Sequence, residues 1–596
     1  LIAQGVGLLE VILVVVYLGV VGYLGWLGFR RTRDAADYLI AGRGTHPFVM
    51  AMSYGATFIS TSAIVGFAGV AGLFGMSLLW LVFLNIFFGI FIAFVVFGGR
   101  TRKMGHRLNA HTFPELLGRR YQSRFIQILA GTIIFIFIPL YAAAVLIGGC
   151  EFITAKFAVD YHAALVVFSL VIAAYVVAGG LKGVMYTEAF QGTIMFLGMI
   201  ILLVFTYVAL GGVTQGHAYL SDLTPLVPQK FQGWGHRGWT SFPAFGFGDD
   251  GYNLWWIVVS TIILGVGIGV LAQPQLVVRF MTVKSQKELN RGVLIGGLFI
   301  LVIPGTAYIV GSLSNAYFTQ FGQPIEGRVV KTLDNERGQV ILACHDQNSK
   351  GGMRKIPAVL LEEDRQEGLH GNPGHAIVRG RSIAQVYAGG NPDQIMPTFI
   401  TQAMPEWFGL LFLLTLLAAA MSTLASQFHA LGTSISRDVY EQLARRPGGN
   451  IGVTRIGIIL GIILAVLIAN YARGGYIVAR ATAIFFGLCS SSFLPAYIGG
   501  LFFKRITRAG AIASMITGFV VTAFWLLFVK AKEAGDIGLV QFVTDGSRSI
   551  LADYPNWPVV DPIVIALPLS CLVAFIVSAL TQPPDRGHLE RCFGRK

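Results

Sequence analysis

The sequence predicts an all-α polytopic membrane protein of thirteen transmembrane helices. Three observations predict it: apolar stretches of membrane-crossing length, very few charges, and basic residues that recur after every second stretch. Of 596 residues, 55% are hydrophobic and 12% are charged, about half the usual charged share of a soluble domain. Such a chain lacks the polar residues to cover a water-facing surface. An apolar helix of about 20 residues crosses the roughly 30 Å of hydrocarbon in a bilayer. Stretches of this kind lie near 8–29, 47–72, 75–98, 125–149, 163–180, 185–211, 254–279, 292–318, 407–435, 453–471, 477–502, 509–530 and 561–580.

The basic residues set the expected orientation. Arg30, Arg31 and Arg33 follow the first stretch, Arg100, Arg102, Lys103, Arg107, Arg119 and Arg120 the third, and Lys182 the fifth. Arg279, Lys284, Lys287 and Arg291 follow the seventh, Arg437, Arg445 and Arg446 the ninth, and Lys504, Arg505 and Arg508 the eleventh. Arg586, Arg591, Arg595 and Lys596 lie beyond the thirteenth. Lys and Arg stay on the cytoplasmic side, so the N-terminus is expected outside and the C-terminus inside. The net charge of +14 is thus a topological signal and no nucleic-acid footprint. No cleavable signal pattern is read before the first stretch, which is expected to be a retained helix.

Several chemistries are excluded early. The cysteines at 150, 344, 489, 571 and 592 form no CxxC pair and have no histidine at metal-ligand spacing, so neither zinc nor a disulfide framework is expected. There is no GxxxxGK[ST] element and hence no ATP-driven engine. No paired acid and base is visible in the spans, and no enzyme is expected. His429, in the ninth span, reads as a packed or gating residue.

Three connections are long, 212–253, 319–406 and 531–560, and all fall on the expected outer side. Within the second, Arg328 to His345 mixes β-branched and charged residues around Asn335 to Gly338, a hairpin signal; the stretch reads either as a small β-rich cap or as an irregular insertion. Two spans look interrupted. The second carries the small, hydroxyl-rich run Gly55 to Ser62, and the seventh carries Gly265, Gly267 and Gly269, each glycine costing a helix about 1 kcal/mol relative to alanine. Close helix packing through small residues is the alternative reading. The interrupted spans open two groups of five, spans 2–6 and 7–11. Five is odd, so the second group is inverted relative to the first, which is the 5+5 inverted repeat in which two broken helices meet at the solute site. The resulting organisation is 1–45, a first helix and cytoplasmic loop; 46–211, the first repeat; 212–253, an extracellular loop; 254–502, the second repeat, interrupted by the extracellular insertion 319–406; 503–580, two peripheral helices; and 581–596, a cytoplasmic tail.

Five fragments then carry a family resemblance: Asp37 to Arg43 (DYLIAGR), Gly179 to Gln191 (GGLKGVMYTEAFQ), Gln273 to Phe280 (QPQLVVRF), Ala419 to Gln427 (AAMSTLASQ) with Ser436 to Tyr440 (SRDVY), and Pro495 to Arg505 (PAYIGGLFFKR). In this order, from about 37 to 518, the chain resembles the sodium/solute symporters, carriers of proline, pantothenate, sugars, sialic acid and monocarboxylates. The resemblance implies a leucine-transporter-type fold and sodium-coupled import of a small organic solute through the plasma (inner) membrane. It also implies a sodium site formed by the backbone carbonyls of Ala56, Ile59 and Ala419 and the hydroxyls of Ser422 and Thr423. Na⁺ is a hard cation that takes oxygen ligands. Apart from the resemblance, a Ser-Thr pair in a membrane helix reads as bonded to its own preceding turn.

Glu188 is an ionisable group within a span and therefore a functional candidate. With Ser426 it is read as a second ion or proton site, with Lys182 as an alternative partner. Relatives with a second sodium carry Asp at 188 and a further hydroxyl where this chain has Ala425. For the solute, the polar candidates are Thr57, Ser60, Ser62, Asn85, Gln273 and Ser490, with Gly265, Gly267 and Gly269 admitting close backbone approach. The positive helix ends at the breaks favour a carboxylate, so the expected cargo is a monocarboxylate or an amino acid such as proline. A membrane sensor, or a proton-coupled carrier on the same scaffold, is the competing reading.

Overall fold

The computed structural model describes residues 8–31, 39–345, 353–365, 377–445, 451–474, 476–544 and 546–594. Asp37, Arg33, Arg446, Arg595 and Lys596, which entered the sequence argument, lie outside the described residues. The helices used below are α1 (Leu8–Arg30), α2 (Pro47–Phe58), α3 (Ser62–Phe74), α4 (Met76–Arg107), α5 (Phe113–Arg120), α6 (Arg124–Phe157), α7 (Tyr161–Ala209), α8 (Asp250–Ala272), α9 (Pro274–Phe280), α10 (Gln286–Phe321), α11 (Ile395–Ala403), α12 (Glu406–Ala444), α13 (Ile451–Tyr471), α14 (Ile477–Phe502), α15 (Arg508–Val529) and α16 (Ile563–Leu580). Among the described residues eleven helices are long and apolar enough to cross a membrane, or twelve when the bent pair α2 and α3 is taken as one span.

Burial sorts these helices into a centre and a lipid-facing rim. The apolar window of α14 is 94% buried and that of α1 only 17%. Large apolar side chains such as Val15, Leu170, Leu294 and Leu464 stand exposed on the rim helices, which in hydrocarbon costs nothing. The helix starts are written in the sequence. Ser285 and Glu288 form a capping box on α10, and Thr112 and Ser123 accept from the backbone at the starts of α5 and α6, each satisfying amides that have no intrahelical partner.

The stretches expected at 163–180 and 185–211 lie in one helical run, α7, of 49 residues. Straight, it would measure about 75 Å at 1.5 Å per residue, more than twice the hydrocarbon depth. Its contacts run out and back instead. It begins beside Lys156, which pairs with Glu10 at one end of α1. Gly183 lies against Gly28 near the other end, and Gln191 returns to donate to the Tyr17 hydroxyl at 3.0 Å, midway along α1.

Between α10 and α11 the chain builds a closed antiparallel barrel of four strands, β1 (Ile325–Asp334), β2 (Gln339–His345), β3 (Met353–Leu360) and β4 (Val378–Ser382). The β1–β2 pairing turns at the residues that carry the hairpin signal. Val329, Val340, Leu342, Ile356, Ala358 and Leu360 fill the barrel, and closure removes the free sheet edge that would otherwise invite pairing. Arg381 donates to the carbonyls of Gln320 and Gly322, tying β4 to the end of α10.

Candidate functional site

The small, hydroxyl-rich run in the second stretch does break its helix. α2 ends at Phe58, Ile59 is extended at φ −89° and ψ 108°, and α3 leaves at a 52° bend. The last turn of α2 therefore ends in carbonyls with no helical partner, and α12 lies against it. The Ser422 hydroxyl donates to the Ala56 carbonyl at 2.8 Å and to Ala419 at 3.1 Å. The Thr423 hydroxyl lies 3.2 Å from the Thr57 carbonyl and 3.4 Å from those of Ala56 and Ile59. All five residues expected around sodium thus meet at one buried point, and Thr57 contributes a further carbonyl. The donors are neutral oxygens and the point lies inside the bundle. Such a set suits a hard monovalent cation that sheds its water.

Glu188 and Ser426 meet one turn away, but in different company from that expected. Arg279 on α9 places one guanidinium nitrogen 2.9 Å from each Glu188 carboxylate oxygen. The carboxylate also accepts from Ser53, Ser426 and, at 2.8 Å, Thr57. Lys182, the expected alternative partner, donates instead to the Arg31 carbonyl. A carboxylate within a span calls for a partner, and the sequence signal for that partner was Arg279, the one charged residue of Pro274–Phe280.

The glycine run in the seventh stretch is not the break. Gly265–Gly269 is helical, and the chain turns extended at Gln273, φ −69° and ψ 117°, because Pro274 disfavours the α conformation in the residue before it. The glycines serve packing: a Cβ on Gly267 would meet Leu84, and one on Gly269 would meet Phe486.

Beside the α2–α3 break lies a small cavity lined by Ser60, Asn85, Tyr141, Thr482 and Phe486, with Pro304 and Tyr308 from α10. Of the expected solute residues, Ser60 and Asn85 line it. Thr57 belongs to the Glu188 cluster, the Ser62 amide donates to Ser60, Gln273 accepts from Gln275, and Ser490 donates to the Gly487 carbonyl. Tyr141, Thr482 and Phe486 lay in spans whose facing the sequence does not give. Above the cavity, on the barrel side, a larger opening of about 500 Å³ is lined by Phe74, Ile262, Ala479, Arg480 and Lys530. Ile262 and Ala479 stand one helical turn from the cavity residues Val266 and Thr482, so the opening lies directly over the cavity. On the opposite side a narrow cleft lined by His111, His429 and Thr433 reaches Arg279 and Ser426. Next to its His111, Glu115 pairs with Arg437 of α12 at 3.0 Å.

The turn Pro392–Gln394 before α11 packs into the barrel side, where the Pro392 carbonyl touches Gly69 of α3. Burial, followed by the charge of Glu151, pushes the Asp393 carboxyl up from 3.8 to about 7. The folded protein therefore holds a proton there that the unfolded chain loses near pH 4, so this contribution to stability is greatest below that pH and is lost as pH rises through about 7. The thermal midpoint is expected to fall between about pH 4 and 7, and Asp393→Asn is expected to flatten that fall. An unchanged slope in the variant would show that another group titrates.

Comparison with known proteins places this geometry. The family described as "Sodium:solute symporter family" matches residues 38–343 and 374–518. The chain is 24% identical to the osmoregulated proline transporter OpuE of Bacillus subtilis (strain 168) over 579 residues, 96% of this chain and 94% of that one. It is 23% identical to the high-affinity proline transporter PutP of the same strain, over 94% of this chain and 96% of the relative. Among solved structures, the substrate-bound, outward-open Na⁺-coupled sialic acid symporter aligns with a TM-score of 0.67 at 16% identity, over 97% of this chain and 99% of that one.

Proposed function

Because the chain belongs to the sodium:solute symporter family, we propose that it imports a small carboxylate, a monocarboxylate or an amino acid, by alternating access in step with sodium. Sodium-coupled transport across the cell membrane is the family's activity, so the chain is a transporter and not an enzyme. Thirteen spans, with 46–211 and 254–502 as inverted five-helix repeats, the N-terminus outside and the C-terminus inside, is the architecture on which this reading rests. The out-and-back contacts of α7 support the span count, and the basic residues between spans support the orientation.

The observation that carries the sodium half is the convergence of the Ser422 and Thr423 hydroxyls on the carbonyls freed at the α2–α3 break. A cation there would hold the broken helix against α12 and so shape the cavity at Ser60 one residue beyond. The carboxylate half rests on that cavity. It is small, carries no charged side chain of its own, and stands at the start of α3, whose positive end favours an anion. Its aromatic walls, Tyr141, Phe486 and Tyr308, suit a compact apolar body better than a sugar's ring of hydroxyls. The proline relatives point the same way.

Uptake of labelled proline, lactate, pyruvate, acetate and glucose into proteoliposomes tests the reading. An inward sodium gradient is expected to drive accumulation of at least one carboxylate and not of glucose. Accumulation of glucose ahead of every carboxylate would overturn the cargo class, and uptake indifferent to sodium would overturn the coupling site.

A further inference from the structure

A groove runs between the end of α14 and α16, far from the solute cavity. It holds about 400 Å³ and is lined by Pro495 and Phe503 on one side and by Cys571, Phe575 and Ala579 on the other, with Arg505 among them. Phe503 is 56% exposed and Phe575 69%, so the groove opens outward to the hydrocarbon. The stretches 495–503 and 571–579 that form its walls each rise about 12 Å at 1.5 Å per residue, close to the roughly 15 Å of hydrocarbon in one leaflet. The α16 wall lies outside the residues that the family model matches, 38–343 and 374–518.

One end of the groove is charged. Arg505 Nη2 donates to the carbonyls of Ala579 at 3.1 Å and Thr581 at 3.0 Å, which caps the end of α16 and fixes the guanidinium at the mouth. Thr507 ties the same turn to α16, its N–H donating to the Ser578 hydroxyl at 3.1 Å and its own hydroxyl lying 2.7 Å from that of Thr581. The two walls are therefore joined and the slot is formed before anything enters it. Lys504 and Arg508 flank Arg505; all three are exposed, and none pairs with a carboxylate among the described residues. An apolar slot of leaflet depth with unneutralised cations at its mouth matches a ligand that has an acyl chain at one end and a negative charge at the other. We infer that this groove binds an anionic phospholipid, its phosphate on the Arg505 guanidinium and an acyl chain between α14 and α16. A zwitterionic lipid offers the same chain but adds an ammonium that these cations repel, and free phosphate offers the charge without the chain. Under the orientation proposed above the groove faces the inner leaflet; binding to the solubilised protein depends neither on that orientation nor on the cargo.

The test uses the full chain, delipidated in a neutral detergent, with its thermal midpoint followed as phosphatidylglycerol, phosphatidylcholine of the same acyl chains, or inorganic phosphate is added. Phosphatidylglycerol is expected to raise the midpoint saturably, and the other two are expected to leave it unchanged. Phosphatidylglycerol with a photoactivatable diazirine in its acyl chain is expected to label 495–503 and 571–579. Arg505→Gln is expected to raise the half-saturating concentration about 10-fold, the ratio carried by one hydrogen bond to a charged group. Ala579→Trp fills the slot from an exposed position and leaves every cation in place, and it is expected to abolish both the shift and the labelling; Cys571→Trp serves with the same expectation where that variant does not fold. An equal shift with phosphatidylcholine would remove the charge selection and overturn the inference. A shift with inorganic phosphate alone would make the site one for a free anion, and labelling retained in the tryptophan variants would place the lipid elsewhere; either result would overturn it too.

Discussion

Replacing Ser422 and Thr423 together by alanine is expected to weaken sodium binding and, through it, solute binding. The two hydroxyls supply two of the oxygens at the α2–α3 break, and alanine removes them without adding bulk or charge. The carbonyls of Ala56, Thr57 and Ile59 remain, but lose the groups that meet them from α12. Sodium bridges these helices in the proposed mechanism, so its loss lowers apparent solute affinity by the coupling free energy between the two sites, about 1 to 3 kcal/mol or roughly 5-fold to 150-fold. The hydroxyls also make hydrogen bonds worth about 1 kcal/mol each, so the variant is expected to melt slightly lower. Mass action separates the two effects: raising sodium at constant ionic strength is expected to restore uptake in part, which it cannot do for protein lost to misfolding. Thr423→Ser, which keeps the oxygen, is expected to stay near wild type. An unchanged sodium dependence in the double variant at normal expression would remove the ion from this cluster and return attention to Glu188.

The parts of this arrangement that the sequence disclosed are those governed by local chemistry. Apolar length marked the helices, the residues around Asn335 marked the β1–β2 turn, and a run of small and hydroxyl residues marked the break at Ile59. The meeting of Ala56, Ile59, Ala419, Ser422 and Thr423 came from family resemblance, because nothing local joins residues 56 and 422. Three features were not legible, each for a physical reason. Glycines 265, 267 and 269 read as a break because glycine weakens an isolated helix; Gly267 against Leu84 and Gly269 against Phe486 are instead what lets α8 approach its neighbours. The actual break at Gln273 is set by the following proline, a signal present in the sequence but overshadowed by the glycines. The partner of Glu188 lies 91 residues away on α9, and among the many basic residues near span ends, spacing alone favoured Lys182.

Gly269→Ala is expected to cost more than its single methyl suggests, and to do so at the cavity and not at the sodium cluster. A Cβ built on Gly269 would stand 2.5 Å from the Phe486 carbonyl oxygen and 2.6 Å from the Phe486 Cβ. Neither is the mobile tip of a side chain, so α8 and α14 must separate. Phe486 and Thr482 on α14 line the cavity, and the Phe486 ring packs edge-on against Tyr141 at 5.4 Å, so separation displaces three of its walls. Overpacking of this kind costs about 1 to 3 kcal/mol, and if it falls on the solute-bound state the apparent affinity drops roughly 5-fold to 150-fold; Gly269→Leu is expected to abolish uptake. The Gly269 Cβ would meet Phe486 and none of the sodium-cluster residues, so sodium binding without solute is expected to fall much less than solute binding. Gly265→Ala is the control within the same helix: its Cβ would meet nothing closer than the Ser260 carbonyl at 3.5 Å, an ordinary contact, and alanine favours the helix by about 0.5 to 1 kcal/mol. Solute uptake against concentration, with sodium binding measured separately, compares the two variants. If Gly269→Ala behaves as Gly265→Ala does, the α8–α14 contact does not shape the solute cavity, and the cargo is held elsewhere.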